Sequence, residues 1–191
     1  MKRYTQEEFD ALPVIDGWKQ CPTGDYSAIS RFCDQCCFSA RCRFGMGCKF
    51  GELCSFAEEC SFGEECSFGR YCIFGELCSF AEGCSFGEEC SFGGYCSFGR
   101  YCSFGEECSF EGRKALPGYP VQTYGGGGSV NRTIYAFNVE GGPIIRAGCF
   151  VGDLDEFRTK VRADGNNLKS LQYLGFANIV AATWCPERIE K

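Results

Sequence analysis

The chain has 191 residues and a net charge of −6, with eighteen cysteines, nineteen phenylalanines and no histidine. That length holds one solenoid and one small further unit. The acidic balance argues against nucleic acid or anionic membrane as a direct partner, and no apolar run reaches the 18 residues of a membrane span.

Residues 1–29 read as an N-terminal cap. Thr5 with Glu8 forms a capping-box pattern that opens a short helix, stopped by Pro13. Residues 14–29 are expected to make an irregular first coil, with Tyr26 standing where later units place phenylalanine. Met1 to Ile15 has no apolar core of signal-peptide length, so a cytoplasmic location is expected.

From Ser30 to Phe110 one six-residue phrase recurs fourteen times, as in Cys-Ser-Phe-Gly-Glu-Glu at 60–65, 84–89 and 102–107. Phenylalanine holds the third place of every unit, Phe32 to Phe110, and cysteine the first place of all but one, Cys36 to Cys108. Residues two apart on an extended segment point to one side. Cys and Phe therefore face inward and the intervening residue, usually Ser, faces outward. From residue 45 to residue 105 the fourth place is Gly, with Ala57 and Ala81 as exceptions, and is expected to turn the corner without a Cβ. A strict short period means a solenoid whose units bury apolar faces only by stacking. Burial of each ring contributes about 2–3 kcal/mol, as an upper value.

The phrase Phe-Gly-Glu-Glu-Cys-Ser at 86–91 resembles the hexapeptide-repeat left-handed β-helix family, with Phe in place of the aliphatic residue. The resemblance covers about 80 residues and implies a mainly β fold. Its expected form is a parallel, left-handed, triangular coil of 18 residues with a small α+β C-terminal domain. A second reading stays open. Residues 50–73 and 74–97 are nearly the same sequence, a higher repeat of four hexads that suits a four-sided coil of 24 residues. Such square coils resemble those of pentapeptide-repeat proteins.

Residues 111–129, with Pro117, Pro120 and Gly125–Gly128, read as a linker. Residues 130–191 read as a capping and oligomerisation domain. Its parts are a hairpin of Thr133–Val139 and Ile144–Val151, a helix over Leu154–Ala163 opened by Asp153 and Glu156, and a helix over Leu168–Ala182. The last is drawn from the spacing of Leu168, Leu171, Leu174 and Ile179. This tail and the Cys/Phe hexads resemble uncharacterised phage and prophage proteins.

Enzymes of the hexapeptide-repeat family use a histidine base, and its carbonic anhydrases use histidine ligands; this chain has none, so no enzymatic activity and no cofactor are expected. Thirteen cysteines at one phase point to packing as free, buried thiols. Cys33 and Cys36, with Cys37 and Cys42 near, have the close pairing of a zinc site, but strand alternation scatters them, and no metal is expected. The outward serines lack the threonine methyls of ice-binding faces. The glycine run before Ser129 lacks the Lys of a phosphate loop.

The acidic turns carry the functional expectation. Residues 50–110 hold eleven Glu against Arg70 and Arg100, a charge of −9. The candidate partner-facing surface is Glu58, Glu59, Glu64, Glu65, Glu88, Glu89, Glu106 and Glu107, with Tyr71, Tyr95 and Tyr101 as anchors. The expected function is a non-catalytic binding or inhibitor protein of phage accessory type. It would present a rigid acidic surface, with charge like that of nucleic acid, to a host protein with a basic surface, and form a homo-oligomer (dimer or trimer). A structural or assembly module is one alternative. A degenerate acyltransferase-like protein binding a small ligand is the other.

Overall fold

The structure, a computed structural model, describes residues 1–99, 101–116, 121–125, 133–148, 150–165 and 167–189. Arg100, Pro117, Pro120, the glycines at 126–128 and Cys149 lie outside the described residues. The chain divides into two compact units, Met1–Lys114 and Ala115–Lys191.

The first unit is a mainly β parallel solenoid of about five turns. Each hexad contributes one short strand, and strands pair residue i with i+18. One face stacks Phe38, Phe56, Phe74, Phe92 and Phe110. A second stacks Phe44, Phe62, Phe80 and Phe98. The third stacks Phe32, Phe50, Phe68, Phe86 and Phe104. Three hexads therefore close one coil, and the four-sided coil of 24 residues is corrected. The bulk of phenylalanine, which favoured a square interior, is accommodated by ring orientation. Phe74 stacks flat on Phe56 and Phe92 in the adjoining coils, with centroids 4.9 and 5.0 Å apart. It meets Phe68 and Phe80 edge-on at 4.9 and 5.0 Å. Edge-to-face contact within a layer and offset stacking between layers are the two favourable aromatic geometries.

The glycine phase has a different cause from the one expected. A Cβ built on Gly63 would sit 2.6 Å from the Gly45 carbonyl carbon one coil below, so the fourth place is small because backbones stack there. The turn itself is made at the sixth place. Leu53, Glu59, Glu65, Tyr71, Leu77, Glu89, Tyr95, Tyr101 and Glu107 all hold φ of +56° to +60°. Left-handed backbone is unfavourable for side-chain-bearing residues; the inter-coil ladder holds it, as where Leu77 N–H donates to Gly94 O at 2.9 Å.

The first-place cysteines do more than fill space. Cys78 Sγ donates to Ala57 O at 3.4 Å, Cys84 Sγ to Gly63 O at 3.4 Å and Cys90 Sγ to Gly69 O at 3.3 Å. In each case the acceptor is the fourth-place carbonyl of the coil below. A buried carbonyl needs a donor, and a thiol supplies a weak one in little volume.

The N-terminal cap has the expected parts. The Thr5–Glu8 capping box opens α1, Gln6–Asp10. Phe9 from that helix meets Phe32 edge-on at 5.2 Å, covering the end of the ring column. Tyr26 is fully buried and stacks between Tyr4 at 4.7 Å and Phe44 at 5.7 Å.

The second unit is a four-stranded antiparallel sheet of Val121–Gly125, Thr133–Phe137, Ile144–Ala147 and Phe150–Asp153, with helices α2 (Leu154–Ala163) and α3 (Leu168–Trp184). Its sheet has two strands more than the expected hairpin. Part of the linker composition is strand: Arg113–Lys114 folds back on Ser109–Phe110, and Val121–Gly125 pairs with Thr133–Phe137. The β-forming Val121-Gln-Thr-Tyr124 run outweighs its Pro and Gly flanks. In α3 the buried stripe is Ser170, Tyr173, Phe176, Ala177, Val180 and Ala181. Leu168, Leu171 and Ile179 are exposed, because the aromatic face outcompetes the leucine face for the sheet.

Candidate functional site

The fifth and sixth places of each hexad form three ridges along the solenoid, one per corner. Two-residue turns project these side chains outward from every coil. Paired carboxylates of one hexad are thereby stacked on those 18 residues away, about 4.8 Å along the axis.

The expected surface residues do not share one face. Glu58, Glu59 and Tyr95 stand on the first ridge, between the Phe56 and Phe62 faces. Glu64, Glu65 and Tyr101 stand on the second. Tyr71, Glu88, Glu89, Glu106 and Glu107 stand on the third, with Asp34, Glu52 and Arg70 in the same columns. The i+18 spacing that places Asp34 and Glu52 on this ridge is legible in the sequence once the coil length is fixed.

The ridges also differ in how far their charge is neutralised. On the first, Arg41 grips Glu59 with two bonds of 3.0 and 3.1 Å, and this holds the Glu59 carboxyl below its usual range. On the third, Arg70 meets Glu88 at 3.4 Å and Lys114 meets Glu107 at 3.0 Å. Among the described residues, Glu89 and Glu106 have no ion pair on that ridge, nor do Glu58, Glu64 and Glu65 on the others. The Glu89 carboxylate beside Tyr71 raises the phenol's pKa. All three tyrosines are exposed, Tyr101 most of all at 81%. Exposed apolar Leu53 and Leu77 also occupy ridge positions, a feature the acidic pattern concealed.

The buried thiols differ in acidity: contact with neighbouring ladder thiols lowers Cys54 and Cys90 and raises Cys66. Contact with the Cys48 thiol and burial push the Cys66 thiol up to about 11, so its neutral form dominates near pH 7. Among the described residues no group of three or more Cys, Asp or Glu side chains is arranged to hold a metal ion. No described helix is long and apolar enough to cross a membrane. The arrangement offers charge along the ridges, serines on the faces between them and exposed aromatic groups at their crests. Comparison with family models, curated proteins and solved structures found no match to this chain.

Proposed function

We propose that the protein is a non-catalytic binding protein of phage accessory type whose third ridge engages a basic surface on a host protein. The observation that carries this reading is the density of carboxylates on that ridge. Glu88, Glu89, Glu106 and Glu107 fall on two successive coils, giving one carboxylate per about 2.4 Å of axis at the strand spacing. Duplex DNA carries one charge per about 1.7 Å; with Glu88 paired to Arg70 and Glu107 to Lys114, Glu89 and Glu106 leave about one unpaired charge per 4.8 Å of axis, a sparser acidic rail. Stacked like charges cost several tenths of a kcal/mol each in water, and a basic partner would relieve that repulsion. The membership of the hexapeptide-repeat family that the sequence suggests is supported by the 18-residue coil and the fourth-place glycines.

The test is capture of host protein by the immobilised chain, eluted in a salt gradient. Charge reversal of Glu88, Glu89, Glu106 and Glu107 to Lys is expected to lower capture at least tenfold, with Glu64→Lys/Glu65→Lys on the second ridge leaving it unchanged. Equal capture by the wild type and the fourfold variant would overturn the proposal.

The homo-oligomer belongs to the same reading. Its support is the exposed apolar face of α3, with Leu168 at 72%, Leu171 at 58% and Ile179 at 57% exposure, since large apolar side chains in one stripe mark contact surfaces. Light scattering should give a dimer or trimer that Leu171→Lys/Ile179→Lys converts to monomer. A wild-type monomer at high concentration excludes it.

A further inference from the structure

The first coil breaks the repeat at one chemically distinctive point. The fourth place, Gly, Ala or Ser in the next twelve hexads, is Cys33 in the opening one. No regular hexad lies 18 residues below it, where Ile15 belongs to a two-residue strand of the N-terminal hairpin. The stacking that makes later fourth places small is relaxed there. Cys33 is the one exposed cysteine among the described residues; Cys37 and Cys102 are half-buried and the other fourteen are buried. Its sulfur lies 3.3 Å from that of Cys36, across a turn in which Gln35 holds φ +55°. Residues i and i+3 of such a turn have Cα atoms within about 7 Å, inside the range a disulfide spans.

We propose that Cys33 and Cys36 form a reversible dithiol–disulfide site whose oxidant is a low-molecular-weight disulfide. The exposed Cys33 thiolate attacks one sulfur of the small disulfide. A mixed disulfide forms, and the other half leaves as a thiolate that takes up a proton. The Cys36 thiol then attacks the Cys33 sulfur, and its proton goes to the second half, which leaves as a thiol. Two protein thiols are oxidised to one disulfide, and the small disulfide is reduced to two thiols.

The Cys33 carbonyl is not orphaned when Cys36 gives up its proton. The Cys33 carbonyl accepts from Cys36 Sγ at 3.3 Å and also from Cys54 Sγ at 3.4 Å. When Cys36 enters the disulfide, Cys54 still satisfies that carbonyl. Cys36 is as buried as a ladder cysteine such as Cys78; what sets it apart is the Cys33 sulfur 3.3 Å away, the one exposed thiol among the described residues. Oxidation is therefore confined to the base of the solenoid, and it ties the first corner covalently without disturbing the stack above.

The experiment treats the folded full chain with excess oxidised glutathione, unfolds it in acid, alkylates the remaining thiols and maps peptides by mass. The expected result is the loss of two alkylatable thiols of eighteen, both in the 33–36 peptide, restored by dithiothreitol. Cys36→Ser should stop at a glutathione adduct on Cys33, and Cys33→Ser should react at neither position. All eighteen thiols left free in the wild type would overturn the proposal. So would a persistent wild-type adduct, or a disulfide from Cys33 to Cys37 or to any ladder cysteine. The wild-type map decides the matter even where a variant fails to fold.

Discussion

In Met1–Lys114 a buried ring meets copies of itself, whereas in Ala115–Lys191 buried neighbours are unlike one another. The ring neighbours of Phe74 are all phenylalanines, above, below and on both sides. Phe157 instead sits between Phe150 and Tyr173, at 5.6 and 6.1 Å, in a cluster with Ile134, Leu154 and Val180. The difference teaches where order comes from. In the solenoid one good contact is multiplied along an axis, and stability is close to a sum of nearest-neighbour terms. In the second unit each contact is solved once.

The largest test of that contrast is truncation of a ring. Phe→Ala substitutions in cores cost about 3–5 kcal/mol. Phe74→Ala should fall at the upper end, since it removes two stacked and several edge contacts at once, and Phe157→Ala nearer the lower end. Denaturant unfolding followed by circular dichroism checks both. In a linear array the Phe74 defect should also split or broaden the transition. A larger loss at Phe157 breaks the comparison.

Smaller effects sharpen it. Cys78→Ala removes the donor to the Ala57 carbonyl and should cost about 1–3 kcal/mol, the penalty of a buried unpaired acceptor. Cys78→Ser keeps a donor and should cost less. At Cys185, whose thiol has no hydrogen-bond partner among the described residues, the order should reverse, with Ala tolerated better than Ser. If Ser is the worse replacement at both sites, the ladder thiols are spacers only. Smallest of all, Leu77→Gly relieves a left-handed backbone at φ +60° and should stabilise by up to about 1 kcal/mol. Leu171→Gly in α3 should cost about that much. Melting temperatures of the two variants, moving in opposite directions, would bear this out.

Much of the solenoid was legible because its period is strict. The inward phase of Cys and Phe, the Thr5–Glu8 cap and Tyr26 in the ring column all follow from spacing. What spacing could not decide was coil size, since the four-hexad duplication at 50–97 marks the chain's repetition and says nothing of its geometry. The reason for glycine was also hidden. Both a tight turn and a close approach exclude Cβ, and only coordinates separate the Gly63 contact from the Glu65 dihedral. In the second unit α3 was legible from its leucine spacing, but that spacing did not mark the face it buries, which is the Tyr173, Phe176 and Val180 stripe. The candidate surface was legible as residues and illegible as a surface. The 18-residue coil distributes its eleven positions over three ridges, and the coil length that does so was the open question.

The most direct measurement is the S–H stretching band of the folded protein by Raman spectroscopy. Among the described residues all thirteen first-place cysteines, Cys36 through Cys108, donate to a backbone carbonyl. Most of the band should therefore lie at lower frequency than in the chemically unfolded chain and return on unfolding. A folded-state band at the unfolded frequency would mean that the thiols merely fill space, and would contradict the ladder.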